Sequence, residues 1–422
     1  MTSAAQKTAK GLDLATWAFL CGRFVSNLGE QLLLYAIPLM IYDQTHDVGK
    51  SGQAFLVEWL PAVLLLPFLG SLTDHFSERR VYFGSEMLRG LICAAAFASL
   101  TTGLVSPFLV LILASAALGV LHAQNYVALE TTIIRRFGKE NLGQVQSLVE
   151  GIESVSEVAG PALAGLLVAV VTKEWLLAIA AAVFVASASS ILALMKKGPA
   201  AAPSQEGPQG KEPILRGVQR GFVLVLTMPR ILALSGISMS LNLVMGVVLA
   251  TNPAVAKTVL GASDQEFALI GITGGLAGAA LMFGLPLLIK KLKPASLARL
   301  AFALLFLAGA LLGMSRSFAP FVAGFASLSC AIGVFNVYVR LERAKAIAPE
   351  EFGRAIGVII LLNRLGMPVA GALVAFASHL LPVQTLVLTV AITALLAILV
   401  LFRYLTRRPR PALALSITGA AS

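Results

Sequence analysis

The chain has 422 residues, of which 58% are hydrophobic and only 13% charged; its mean hydropathy is +0.86. A soluble domain spends about 25% of its residues on charge, so the chain lacks the polar surface to face water and is expected to be a polytopic membrane protein. Its net charge of +11 would suit a nucleic-acid binder, but the bases sit at the ends of apolar segments, which excludes that class.

The N-terminal MTSAAQKTAKG lacks the apolar core and small-residue cleavage site of a signal peptide, so the first span is expected to stay in the mature chain. Apolar segments follow at 15–42, 52–71, 81–101, 107–131, 142–170, 174–195, 222–251, 265–289, 295–314, 319–341, 353–377 and 382–404. Each is close to the roughly 20 residues that cross a hydrocarbon core. Twelve spans place both termini on one side. If that side is the cytoplasm, 22 of the 32 Lys and Arg fall on inner ends and loops, and only Lys50, Lys173, Lys257 and Arg316 on outer ones; the positive-inside bias therefore predicts inward termini. The longest polar interruption, GPAAAPSQEGPQGKEP at 198–213, has linker composition. It divides the chain into a bundle at 1–197, a cytoplasmic linker at 198–215 and a second bundle at 216–422.

The two parts resemble copies. Tyr126 and Glu130 match Tyr338 and Glu342, Gly143 matches Gly353, and Gly160 with Gly165 matches Gly366 with Gly371. The expected fold is all-α and integral to the membrane, with twelve transmembrane helices in two related six-helix bundles. Such a duplication is the arrangement of an alternating-access transporter whose substrate site lies between the halves.

The loop between spans 2 and 3, GSLTDHFSERR at 70–80, is similar to the signature G-x-L-x-D-x-x-x-x-R-R/K of the major facilitator superfamily. GEQLLLYAIPLMIY at 29–42, Leu88-Arg89 and AGPALAG at 159–165 resemble the branch of macrolide-type drug exporters and siderophore exporters of the enterobactin type. Many members of that branch carry Asp where this chain has Glu30. The corresponding second-half stretch, GLPLLIKKLKP at 284–294, keeps bases but no acid. The resemblance implies a proton-coupled antiporter that exports a small amphiphilic or chelating molecule from a bacterial cell, the alternatives being siderophore or metallophore export, or uptake or lipid flipping on the same scaffold; it is expected as a monomer in the inner-membrane lipid, with no cofactor beyond the coupling proton. In physical terms, Gly70 permits close helix approach, Asp74 would meet the positive N-terminal end of span 11, and Arg79 and Arg80 would pair with acids at other inner ends. These four residues form an expected cytoplasmic gate; the alternative is a generic tight turn with positive-inside charge.

Acids within the spans bear on mechanism. Glu30 lies about 15 residues into span 1, roughly 22 Å deep, where a lone carboxylate must face a wet cavity or bind a proton. Glu150, Glu153 and Glu157 recur at i, i+3 and i+7 and are expected to form one acidic stripe on span 5; Glu58 lies below the outer end of span 2. Alternatively these acids are structural ties to Arg23, Arg89, Arg340 or Arg364. Arg364, beside Asn363, sits about 16 Å into span 11; it cannot shed its proton and needs an acid or an anionic ligand. Trp17, Trp59 and Trp175 are expected as interfacial anchors, and Pro38, Pro161 and Pro368 as bends. Cys21, Cys93 and Cys330 have no metal or redox spacing and are expected to be buried spectators. An ATP-driven pump is excluded by the lack of G-x-x-x-x-G-K-[ST]. His75, Glu78 and Asp74 could be read as an enzyme's interfacial constellation, but the other histidines, His46, His122 and His379, are scattered, and a duplicated bundle needs no such chemistry.

Overall fold

The structure, a computed structural model, describes residues 14–136, 139–195, 214–291, 294–347 and 349–407; the rest of the linker call at 198–215, before Ile214, lies outside the described residues. It is all-α and multi-pass. In chain order the helices are α1 (Leu14–Thr45), α2 (Val48–Phe76), α3 (Glu78–Thr102), α4 (Pro107–Arg136), α5 (Lys139–Leu167), α6 (Glu174–Met195), α7 (Ile214–Thr227) and α8 (Pro229–Ala254). After a π-helical turn at Val255–Val259 come α9 (Asp264–Lys291), α10 (Pro294–Met314), α11 (Phe318–Ala346), α12 (Pro349–Arg364), α13 (Gly366–Ala377) and α14 (Val383–Arg407). Among the described residues nine helical segments are long and apolar enough to cross a membrane. The expected spans at 52–71, 142–170 and 265–289 fall on α2, α5 and α9, helices of 29, 29 and 28 residues.

Local chemistry sets the helix ends. Asp47 caps α2, accepting from the Gly49 amide at 2.7 Å. Ser263 and Glu266 cap α9 reciprocally: the Ser263 amide donates to the Glu266 carboxylate at 2.8 Å, and the Glu266 amide to the Ser263 hydroxyl at 3.2 Å. The expected span at 222–251 is corrected: it breaks at Met228, and α7 is a separate short helix packed on α12. Pro229 is the cause, since it offers no N–H and drives the residue before it out of the helical region; Met228 sits at φ −105°, ψ 85°. The bend expected at Pro368 is present as the break between α12 and α13, one turn upstream, where the proline ring would meet the carbonyl of residue 364. Pro38 and Pro161 interrupt neither α1 nor α5.

The exterior is apolar and the interior carries charge. Leu64, Leu91, Leu113 and Leu396 are more than half exposed, whereas Arg23, Arg89 and Glu86 are buried, the inverse of a water-soluble protein and what a lipid solvent requires. Cys93 is buried as expected, but Cys21 is exposed, because its position falls on the outer face of α1.

Helices α1 to α6 pack among themselves, chiefly α1 on α5 and α6, α2 on α4, and α3 on α4 and α6. Helices α8 to α14 do the same through α8 with α13 and α14, α10 with α11 and α14, and α9 with α11. The broad contacts between these groups are α2 with α13 and α5 with α9. Small residues make them possible. A Cβ on Gly371 would lie 2.8 Å from Leu56 Cα and 2.9 Å from the Gly52 carbonyl oxygen, and one on Gly165 would lie 2.6 Å from Ala268 Cβ. Gly371→Val should therefore cost about 1–3 kcal/mol, the usual penalty of overpacking. It should lower the thermal unfolding midpoint in detergent, whereas Gly151→Val, at a position with open space around it, should not.

Candidate functional site

A central cavity of about 320 Å3 opens among α1, α2, α4 and α5, with Arg89 of α3 and Arg364 of α12 in its wall. Helical periodicity assembles it. Arg23, Asn27 and Glu30 recur at i, i+4 and i+7 on α1; Ser115, Gly119, His122 and Tyr126 share one face of α4; Glu153, Ser156 and Glu157 share one face of α5.

Glu30 is not isolated, and the alternative reading that ties the acids to Arg89 and Arg23 is the one observed. One carboxylate oxygen meets Arg89 Nη2 at 3.3 Å and the other meets His122 Nδ1 at 2.6 Å. Arg89 also pairs with Glu86 at 3.1 Å, one helical turn back on α3, and its guanidinium lies 3.9 Å from the centroid of the Phe184 ring. Glu86 in turn accepts from Ser26 at 3.0 Å and from Asn125. His122 is the partner that sequence reasoning missed, because it lies 92 positions from Glu30 and meets it only after α4 folds against α1. His122, dismissed as scattered, carried one usable signal: it lies one helical turn before Tyr126 on an otherwise small-residue face of α4.

The stripe expected on α5 divides. Glu153 binds Arg23 at 3.0 Å, Glu157 faces the cavity, and Glu150 is exposed and lines neither described cavity. Arg364 lines the cavity with no carboxylate within 4.0 Å among the described residues; its guanidinium lies 5.7 Å from the centroid of the Tyr126 ring. The Asn363 side-chain oxygen is buried and has no hydrogen-bond partner. Trp59, expected as an interfacial anchor, instead lines the cavity with its indole N–H unpartnered; Trp17 and Trp175 are about half exposed. At the expected inner gate, Gly70 and Asp74 lie in the last turns of α2 and their side chains fall outside the described residues. Arg79 is buried and 3.8 Å from Glu78, and Arg80 is exposed. Ser77 makes the turn between α2 and α3 at φ 69°.

A second cavity, of about 500 Å3, lies between α1, α2 and α5 on one side and α8, α9 and α11 on the other. It shares Gln31, Leu34, Pro38, Glu58 and Glu157 with the first. Beyond it, at the end of the bundle that the charge bias predicts to be outside, an ion cluster ties the two helix groups together. Lys173, between α5 and α6, binds Asp43 at the end of α1 and, at 2.8 Å, Asp264 at the start of α9. Lys257 binds Asp264 as well. Among the described residues no group of three or more His, Cys, Asp or Glu is placed to hold a metal ion.

A charge-lined cavity of this size, enclosed by apolar-surfaced helices, has room for a small molecule. Residues 19–342 match the Major Facilitator Superfamily, and the chain belongs to it. The fold agrees with solved structures of the nucleoside transporter NupG (TM-score 0.70, 15% identity, 94% of this chain and 100% of that one). It agrees equally with a bacterial homologue of the iron transporter ferroportin in an inward-facing state (TM-score 0.70, 18% identity, 94% and 100%). A bacterial homologue of the human lysosomal transporter Spinster follows (TM-score 0.65, 11% identity, 93% and 95%). No curated protein matches the sequence. The chain is thus a secondary transporter of a small molecule across a membrane, and not an enzyme.

The outer cluster has a defined pH window. Burial opposes the charge of Lys173, but hydrogen bonds to Asp264 and Asp43 outweigh it and the ammonium is held above the ordinary lysine range. Burial likewise opposes the Asp264 charge, yet Lys173 and Lys257 hold that carboxyl below the usual range. A depressed acid contributes above its ordinary pKa of about 3.9, and a raised base below its ordinary pKa of about 10.4. The tie is therefore intact across that window, lost on the acid side as pH falls through the Asp264 pKa and on the alkaline side as pH rises through that of Lys173. Asp264→Asn should open the outer end at neutral pH. A single cysteine at Ala268 should then react with a membrane-impermeant maleimide several-fold faster than in the parent; an unchanged rate would show that the cluster does not hold this end closed.

Proposed function

We propose that the chain is a twelve-span transporter that exports a small amphiphilic or chelating organic molecule in exchange for protons by alternating access. Two related six-helix halves, 1–197 and 216–422, would be joined by the linker 198–215, in a bacterial inner membrane with both termini in the cytoplasm. The observation that carries the reading is the pairing of Glu30 with His122 in the wall of a cavity that joins a second one between two helix groups tied at one end by Lys173 and Asp264.

The glycine contacts support a twofold arrangement. Gly160 packs on Gln31 of α1 and Gly366 on Asn242 of α8, the first span of each proposed half. Gly165 packs on α9 and Gly371 on α2, the second span of the opposite half. Positions matched in sequence at one offset thus make matched contacts, as expected of related bundles that rock about a shared axis.

Coupling follows from the wall chemistry. An imidazole can both accept and donate a proton, and Glu30 holds His122 by Nδ1, leaving its other nitrogen available. Protonation from outside would strengthen the Glu30–His122 contact, and proton loss to the cytoplasm would weaken it as substrate binds. Glu30 with His122 thus replaces Glu30 alone as the coupling unit. Glu153 serves as the tie of Arg23, and Glu150 stands outside the cycle. Gly70, Asp74, Arg79 and Arg80 would close the cytoplasmic end when the outer cluster parts, and Arg364 with Asn363 would extend the cavity wall from the second half.

The test uses liposomes carrying the purified protein and an internal pH dye, challenged with amphiphilic amines, neutral amphiphiles and catecholate chelators under an imposed pH gradient. A transported compound should move protons in the opposite direction and show counterflow. Glu30→Gln and His122→Gln should each cut gradient-driven transport at least about tenfold, or about 1.4 kcal/mol, while substrate exchange without a gradient persists. Undiminished proton movement in both variants would remove the pair from the coupling step.

A further inference from the structure

The two cavities differ in charge. The first holds acids and bases together, and most are mutually neutralised: Arg23 by Glu153, and Arg89 by Glu30 and Glu86. The second is largely apolar, with rings from Tyr35, Phe55, Phe267 and Phe325, and its ionisable lining apart from that phenol is acidic only, Glu58 and Glu157. No Lys, Arg or His lines it among the described residues. Both carboxylates line both cavities, Glu58 from α2 and Glu157 from α5, and neither has a hydrogen-bond or ion-pair partner among the described residues.

Asn252 provides an independent pointer. It is 6% exposed, lines the second cavity from α8, and its side-chain oxygen has no hydrogen-bond partner. A buried acceptor without a donor costs free energy until a donor arrives, and Asn252 approaches from the helix group opposite to that of the carboxylates.

From this arrangement we infer that the substrate is an amphiphilic organic cation, its apolar body in the aromatic second cavity and its charged nitrogen between Glu58 and Glu157 at the junction. The inference deepens the transport reading above and rests on it. An anionic ligand would bring like charge to the two carboxyl groups, whereas a cation supplies the counter-charge that their buried position otherwise lacks. Arg364 does not reverse the sign, because it lines only the first cavity. Aromatic faces around the ligand add cation–π attraction.

Tetraphenylphosphonium and tetraphenylborate share a shape and differ in charge sign, so their equilibrium binding to the purified full chain in detergent isolates the charge. The phosphonium should bind saturably and at least about tenfold more tightly than the borate, and Glu58→Gln and Glu157→Gln should each weaken it on the order of tenfold, as loss of one charge contact in a partly dry site requires. Glu150→Gln, outside both cavities, should bind as the parent does. Should Glu58→Gln emerge aggregated from size exclusion, Glu157→Gln decides alone. Absent phosphonium binding, equal affinity for the two ions, or unchanged affinity in the carboxamide variants overturns the cation site. The two readings fail separately. Charge-selective binding without gradient-driven movement leaves the cation site standing and sinks proton-coupled transport. Gradient-driven movement of a neutral amphiphile with no phosphonium binding sinks only the cation site.

Discussion

An ion buried in hydrocarbon is tolerable only if its charge is met on every side, and that requirement organises the first six helices around Arg89. Its guanidinium is shared between Glu86 on its own helix and Glu30 on α1, with Phe184 of α6 against its face. Removing a partner from such a group would leave an uncompensated charge costing about 3–5 kcal/mol. The pairing therefore sets the register of α1, α3 and α6 more firmly than their apolar contacts, which exchange lipid for side chain at little gain. It also explains why the cavity can hold polar groups at all, since Arg89 anchors one oxygen of Glu30 and leaves the other for His122.

Glycine supplies the complementary principle. Where charge fixes helices within the first group, the contacts that join the two groups are made by backbones brought close at Gly52, Gly165 and Gly371. Such contacts are steric rather than electrostatic and have no long-range pull, so one group can roll over the other while each keeps its internal ties. Among the described residues the ion pair that crosses the boundary, Lys173 to Asp264, lies at one end of the bundle.

Much of the fold was legible because its signals are local. Spans show as apolar runs, their ends as Pro, Asp and Ser caps, and the family as the short motif at 70–80. Span 7 was misjudged because the apolar run continues from Phe222 through Met228, and hydropathy does not register that Pro229 breaks the backbone ladder. The site was less legible, because pairing is tertiary. Glu30 was found by depth alone, but its partners lie on other helices, and depth cannot distinguish Glu153, tied to Arg23, from Glu157, which has no partner among the described residues. Trp59 was assigned by distance from a span end, whereas helix rotation turned it inward. Glu58 reads in sequence only as an acid below the outer boundary; its importance depends on a cavity completed by α8, α9 and α11, far along the chain.

The outer cluster alternates Asp43, Lys173, Asp264 and Lys257, two acids and two bases at a helix-end rim rather than in the bundle core. Attraction between partly exposed charges is screened over about 10 Å at 0.1 M salt and about 3 Å at 1 M, whereas Arg89 and its partners are shielded by the surrounding helices. Salt therefore weakens the end of the bundle that carries this cluster and leaves Arg89 and its partners untouched. On the topology proposed above, a cell moved from fresh to saline medium would change how readily this carrier opens outward without any change in its amount.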